Sequence, residues 1–215
     1  MPAPFVPSRP VHIVGVGSCL GAPIFGPAAG PRALRALGLD AQLRQRGVRA
    51  QWETLFEPSA PKPPHPPMPE RLALVSNLLH DLADRVAGVC NDGAVPLVLG
   101  GDHAIGAGTW RGVARSLAPR GKLGLIWIDA HLDAHTERST HTGNIHGMPL
   151  SALLGVGHEA LTGLPGPHLD PAHVAIVGAR SWEPEELELL QKLGVKIFFM
   201  PEVQDRGLPA VLCED

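Results

Sequence analysis

Short apolar runs alternate with helix-patterned stretches along nearly the whole chain, and this alternation constrains the fold more than any other feature. Val11-His12-Ile13-Val14-Gly15-Val16, Val95-Pro96-Leu97-Val98-Leu99, Leu123-Gly124-Leu125-Ile126-Trp127-Ile128, His173 to Val177 and Val195 to Met200 are short apolar runs of strand length. Arg49 to Leu55 reads as an edge strand. Helix patterns fill the intervals. Arg32 to Leu37 is opened by Gly30-Pro31 and stopped by Gly38, and Glu70 to Cys90 carries Leu72, Val75, Leu79, Leu82 and Val86 at helical spacing. Further helices are predicted from about Ile105 to Leu117, after Gly147, and from Pro184 to Leu193. Strands apolar on both faces and joined by helices predict an α/β protein with a parallel sheet covered on both sides. Pro201 to Leu212 is a connection or short helix, and Cys213-Glu214-Asp215 stands where the alternation calls for another strand. The reading is a single domain over residues 1–215, incomplete at its C-terminal end.

Composition narrows the class. The chain has 215 residues, 44% hydrophobic and 18% charged, which is globular composition with no room for wholesale disorder. A net charge of −3 advertises no nucleic-acid partner. No apolar run approaches the ~18–20 residues that span a bilayer, and Met1-Pro2-Ala3-Pro4 lacks the charged start of a secretion signal. Cys19, Cys90 and Cys213 are too widely spaced for a disulfide framework or a CxxC metal knuckle. Together these predict a cytoplasmic protein with no membrane partner. Residues 58–69 are rich in proline, which fixes φ and lacks an N–H, so they read as an extended surface loop.

Three motifs carry chemistry. Asp129-Ala130-His131-Leu132-Asp133 directly follows the apolar run ending at Ile128. In extended backbone, positions i, i+2 and i+4 share a face, so Asp129, His131 and Asp133 are expected to converge. The carboxyl end of a parallel strand is where open α/β sheets bind ligands. Two carboxylates and an imidazole gathered there call for a cation, and the donor set suits Mn²⁺, with Zn²⁺, Fe²⁺, Co²⁺ or Ni²⁺ as alternatives. Leu99-Gly100-Gly101-Asp102-His103 is a second strand exit, which brings His103 to the same rim if the two strands are neighbours and leaves Asp102 to orient its surroundings. Thr142-Gly143-Asn144-Ile145-His146-Gly147-Met148-Pro149 supplies a hydroxyl, an amide and an imidazole. His146 is suited to shuttling a proton, and Thr142 and Asn144 to hydrogen-bonding a polar substrate tail.

Taken in order, these motifs resemble those of the ureohydrolases, the family of arginase and agmatinase, with Asn144-Ile145-His146-Gly147 most similar to the arginase branch. Gly21-Ala22-Pro23, Gly30-Pro31, Val177-Gly178-Ala179-Arg180 and Met200-Pro201-Glu202-Val203 extend the resemblance over nearly the whole chain. It implies a three-layer α/β/α fold with a mostly parallel sheet and a two-manganese centre in each subunit. His103, Asp129 and Asp133 would bind one ion, Asp129 and His131 the other, with Asp129 bridging. A hydroxide between the ions would attack a guanidinium carbon, releasing urea; from L-arginine the second product would be L-ornithine. His146 matches the proton-shuttling histidine, and Thr142, Asn144 and Glu183 the groups that hold the substrate's α-carboxylate and α-amino ends. Relatives commonly assemble as trimers or hexamers.

The sequence departs from the family pattern in four positions and in one absence. His135 stands where arginases usually have an asparagine contacting the substrate carboxylate, and Glu183 replaces a shorter aspartate. Ser181 replaces an acid and Ala104 a serine. The tail pocket is therefore reshaped, and agmatinase-type or guanidinobutyrase-type substrates are alternatives to L-arginine. The family also carries a later strand with a Ser-x-Asp-x-Asp pattern and a still later glutamate, expected beside the strand that bears Asp129. This sequence lacks them, and Glu214 and Asp215 stand at no spacing that would replace them. A catalytically inactive remnant is the resulting alternative.

Overall fold

A computed structural model describes residues 7–58 and 66–213. Among these, the chain runs β1 (Val11–Val16), α1 (Gly30–Ala36), α2 (Leu39–Gln45), β2 (Ala50–Phe56), α3 (Met68–Asn91), β3 (Val95–Gly100) and α4 (Ile105–Leu117). It continues through β4 (Leu125–Ile128), α5 (Pro149–Leu153), α6 (Glu159–Thr162), β5 (Val174–Ala179), α7 (Pro184–Leu193), β6 (Lys196–Phe199), α8 (Met200–Arg206) and α9 (Leu208–Leu212). Most of the proline-rich loop, residues 59–65, lies outside the described residues, as do Glu214 and Asp215.

All strand pairings are parallel, but they form two three-stranded sheets, ordered β2-β1-β3 and β4-β5-β6. β2 is an edge strand, as its half-polar pattern predicts. Among the described residues no ladder joins β3 to β4, so the sheet is interrupted where the family resemblance places its later strand.

The period of two along each strand sorts residues between helical layers. Val14 and Val16 of β1 pack with Leu72, Val75, Leu79 and Leu82 of α3, while Val11 and Ile13 face the opposite layer with Leu39 and Leu43 of α2. In β5, Val174 and Ile176 pack with Leu190 of α7 and Leu150 and Leu153 of α5, whereas Val177 meets Phe198 and Val211. β4 is buried on one face only. Leu125 and Trp127 are buried there, but Ile126 and Ile128 are 54% and 69% exposed. The helices α8 and α9 lie over β5 and β6.

Two short helices escape the sequence pattern. Gly38, at φ 70°, ends α1 and immediately caps α2, so one left-handed glycine serves as a stop and a start. α6 is four residues long, too short to display a periodicity.

The α3–α4 contact is the most extensive helix pair and depends on glycine. A Cβ on Gly112 would lie 2.5 Å from the Ala83 carbonyl oxygen and 3.0 Å from Val86 Cβ, and one on Gly108 would lie 2.8 Å from the Leu79 carbonyl. Gly88, on the outer side of α3, has open space around it. Gly112→Val is therefore expected to destabilise the protein by about 1–3 kcal/mol through overpacking. Gly88→Ala is expected to stabilise it by up to about 1 kcal/mol through helix propensity. Denaturant melts of the two variants check the contrast; equal effects would contradict the packing described.

Candidate metal centre

β3 runs into Gly100-Gly101-Asp102-His103 and crosses the exit of β1. A Cβ at Gly101 would stand 1.8 Å from the Ser18 carbonyl oxygen, so only glycine fits this crossing. The Gly101 and Asp102 amides donate to the Val16 and Ser18 carbonyls, each at 3.0 Å. Asp102 is buried and accepts from the amides of Gly21 and Ala104, both at 3.0 Å. Burial raises its carboxyl pKa against the lowering effect of those two donors. The carbonyl of Gly21 in turn accepts the His146 amide at 3.1 Å. Asp102 thus ties three loops together. His103 leaves this frame with its ring stacked on Trp127 of β4, centroids 4.6 Å apart.

β4 delivers the carboxylates. The Asp129 amide donates to the Val177 carbonyl at 3.2 Å, and the Ala130 carbonyl accepts from the Arg180 and Ser181 amides at 2.8 and 3.0 Å. The exits of β4 and β5 are thereby locked together. His103 Nδ1 lies 3.1 Å from Asp129 Oδ2 and 2.6 Å from Asp133 Oδ2. His131 takes the other oxygen of Asp129: its amide donates to Oδ1 at 2.8 Å, and its Nδ1 lies 3.2 Å from that atom.

The route to this geometry differs from the extended strand expected. Residues 129–133 have left β4, and Asp133 turns inward at φ 49°, the one positive-φ non-glycine residue among those described. His103, Asp129 and Asp133 offer ligand atoms all within 4.8 Å of one another, while the His131 side chain is 62% exposed outside that trio.

The trio fits a divalent cation. Asp133 Oδ2 is buried without an aligned hydrogen-bond donor although the His103 ring stands beside it. Two carboxylates with an imidazole suit Mn²⁺ and its first-row neighbours. Burial acts to lower the His103 pKa, but Asp129 and Asp133 outweigh it and raise it to about 10. Burial likewise acts to raise Asp129, and His103 with the His131 amide brings it down to about 2. In the metal-free protein, a proton on His103 compensates the two acids.

The same cleft, of about 500 Å³, is lined further along by His135, Thr140, Thr142, Asn144, His146, Glu183 and Glu186. The structure thus brings every site residue predicted from the sequence to one cleft. His135 is buried, with Nδ1 3.1 Å from Ser139 Oγ and Nε2 3.0 Å from Glu183 Oε2. His135 also draws the exposed Glu183 carboxyl below its ordinary pKa. The Asn144 amide donates to Thr142 Oγ1 at 3.3 Å.

Glu186 is the cleft residue the motif reading missed. It is 3% exposed and, with Glu183, forms a capping box at the start of α7. Burial raises its pKa. Glu183-Pro184-Glu185-Glu186 carries the signal, an acidic pair three residues apart around a proline. With His135 and Glu183 it forms a second close group of possible ligands, but both its oxygens already accept backbone amides.

Parallel sheets between helical layers, with acids and imidazoles gathered at the strand ends, define an α/β protein with a cleft that could hold a metal ion. Comparison with known proteins makes the assignment specific. The arginase family profile matches residues 9–214. An arginase of Brevibacillus brevis is 38% identical over 212 residues, covering 96% of this chain and 70% of that protein. The solved arginase of Bacillus caldovelox superposes with a TM-score of 0.86 at 37% identity, covering 95% of this chain and 69% of the other. Entamoeba histolytica arginase, solved in complex with L-ornithine, gives a TM-score of 0.85 at 30% identity, with 95% and 69% covered. The chain belongs to the arginase family of ureohydrolases, and it spans about 70% of the length of these relatives.

The proton shared at His103 gives the metal-free protein a defined pH response. His103 has a raised pKa, so its contribution is complete below 6.5 and is lost as pH rises through about 10. Asp129 has a depressed pKa, so its contribution is complete above 3.8 and is lost as pH falls through about 2. The melting temperature of chelator-treated protein is expected to decline between pH 6.5 and 10, and His103→Asn is expected to flatten that limb. An unchanged alkaline limb in the variant would contradict the assignment.

Proposed function

We propose that this cleft holds a pair of Mn²⁺ ions and hydrolyses a linear guanidino compound to urea and an amine. L-Arginine, which would give L-ornithine, is the substrate suggested by the arginase relatives. One observation carries the reading: the two oxygens of Asp129 face different partners, Oδ2 the His103–Asp133 pair and Oδ1 His131. His103, Asp129 and Asp133 would hold one ion; Asp129 and His131 would hold the other. A bound manganese pair supplies an acidified water and a clamp for negative charge developing at the reacting carbon.

The remaining groups act on the substrate and its protons. His146 lines the cleft with its backbone fixed by Gly21, and it would return a proton to the departing amine. Thr142 and Asn144 offer a hydroxyl and an amide to a polar tail. Glu183, kept ionised beside His135, favours an ammonium at the tail end. His135 is already engaged at both ring nitrogens, so it contributes to the tail pocket mainly by fixing Glu183.

A second reading, a catalytically silent family member that holds metal weakly, is favoured by the interruption between β3 and β4. The family resemblance assigns to that place the strand whose aspartates complete both metal shells. The two readings separate in one assay. Purified protein is expected to release urea from L-arginine, agmatine or 4-guanidinobutyrate only with Mn²⁺ added. Asp129→Ala and His131→Ala are each expected to lower the rate by more than about 100-fold, beyond the usual effect of an outer-sphere partner. No turnover of any of the three compounds at saturating Mn²⁺ supports the silent reading, and activity indifferent to both substitutions overturns the proposed centre.

A further inference from the structure

We propose that Glu186 is a positioning residue for the metal centre: its carboxylate braces the loop that carries Asp133 against the start of α7. This inference rests on the reading of His103, Asp129 and Asp133 as metal ligands.

The argument starts from the backbone of residues 133–135. Asp133 sits at φ 49°, a conformation that a residue bearing a Cβ adopts at a cost, so neighbouring contacts must hold it. Three of those contacts come from the segment that enters α5. The Asp133 carbonyl accepts the Leu150 amide at 3.0 Å, the His135 amide donates to the Gly147 carbonyl at 3.0 Å, and the His135 carbonyl accepts Ser151 Oγ at 2.6 Å. The Ala134 amide donates to Glu186 Oε1 at 3.0 Å.

The other oxygen of Glu186 faces the opposite way. Oε2 accepts the Glu183 amide at 3.0 Å, the reciprocal half of the α7 capping box, and lies 3.6 Å from His135 Nε2. One buried carboxylate therefore spans two chain segments about fifty positions apart in sequence, joining the residue after Asp133 to the residue that begins α7. An ordinary capping glutamate lies on the surface and satisfies its own helix. Glu186 is 3% exposed, and its burial costs free energy that amide donors on both oxygens offset. Each oxygen holds a backbone amide, and Glu186 stands outside the His103, Asp129 and Asp133 group, which separates bracing from ligation of that centre. Outer-sphere groups that orient ligands in this way commonly change metal affinity by about 10–100-fold.

Glu186→Gln keeps the shape but turns an amide N–H toward one of the two donors, so one bond becomes a repulsion. Glu186→Asp keeps the charge but is a methylene too short to reach both amides, and it serves if the glutamine variant folds poorly. Leu190→Ala, in the buried face of the same helix, is a control for general loosening of α7. Hydrogen exchange of the metal-free full chain is read first. Both Glu186 variants are expected to speed exchange at Ala134 at least tenfold while leaving the β1 and β5 amides unchanged, and Leu190→Ala is not expected to do so selectively. Mn²⁺ titration followed by electron paramagnetic resonance is read second, and the Glu186 variants are expected to bind at least tenfold more weakly than the Leu190 variant. Unchanged Ala134 exchange, or affinities equal to that of Leu190→Ala, overturns the brace. Failure of the unsubstituted protein to bind Mn²⁺ overturns the metal reading instead, and the exchange experiment still decides whether Glu186 holds the loop.

Discussion

Two carboxylates crowd one imidazole at the rim of the sheets, and the surrounding structure is arranged around holding them there. Asp129 and Asp133 both approach His103 Nδ1, at 3.1 and 2.6 Å, from a loop that would otherwise relax toward water. Bringing like charges together in a partly buried site is unfavourable unless a positive charge sits between them. In the metal-free protein that charge is a proton on His103, whose raised pKa expresses the electrostatic demand of the two acids. A divalent ion meets the same demand more fully, and the centre can be understood as a cation site with a proton standing in.

Satisfying that demand requires rigid backbone on every side. Gly101 lets β3 cross against Ser18, Asp102 ties Gly21 to the His103 loop, and the Ala130 carbonyl accepts two amides from the β5 exit. The two sheets are linked at their carboxyl ends by His103, against Asp129, Asp133 and Trp127, and by the His146 amide on the Gly21 carbonyl, although among the described residues no ladder joins β3 and β4. Ile126 and Ile128, on the strand at this interruption, are exposed. Mechanically, the candidate metal cleft lies beside this interruption, where side chains and loop amides hold the strand exits together.

Much of this was legible in the sequence because it depends on local periodicity. The buried helical stripe of α3 and the apolar runs of β1, β3 and β5 each announce themselves within a few residues. The division into two sheets was not legible, since nothing in Leu97 or Ile126 records which strand lies alongside. The spacing of Asp129, His131 and Asp133 predicts that they converge, and they do line one cleft, but not through an extended backbone. Asp133 reaches its place through a left-handed turn, and His131 stays largely exposed on the far oxygen of Asp129. Glu186 was hidden for a related cause: a capping glutamate is ordinarily a surface residue, and only tertiary packing turns this one inward. His135 and Glu183 stood out as departures from the family pattern, whereas their direct contact could be seen only in three dimensions.

The central claim, that one rim gathers these side chains to hold a cation, is tested most directly by diffraction from crystals grown with Mn²⁺ and measured at the manganese absorption edge. The account expects an anomalous peak in coordination contact with His103 Nδ1, Asp129 and Asp133, with the imidazole now bound to the ion in place of its proton. A map with no manganese at that position, and His103 still resting against Asp133 at high Mn²⁺ concentration, would contradict it.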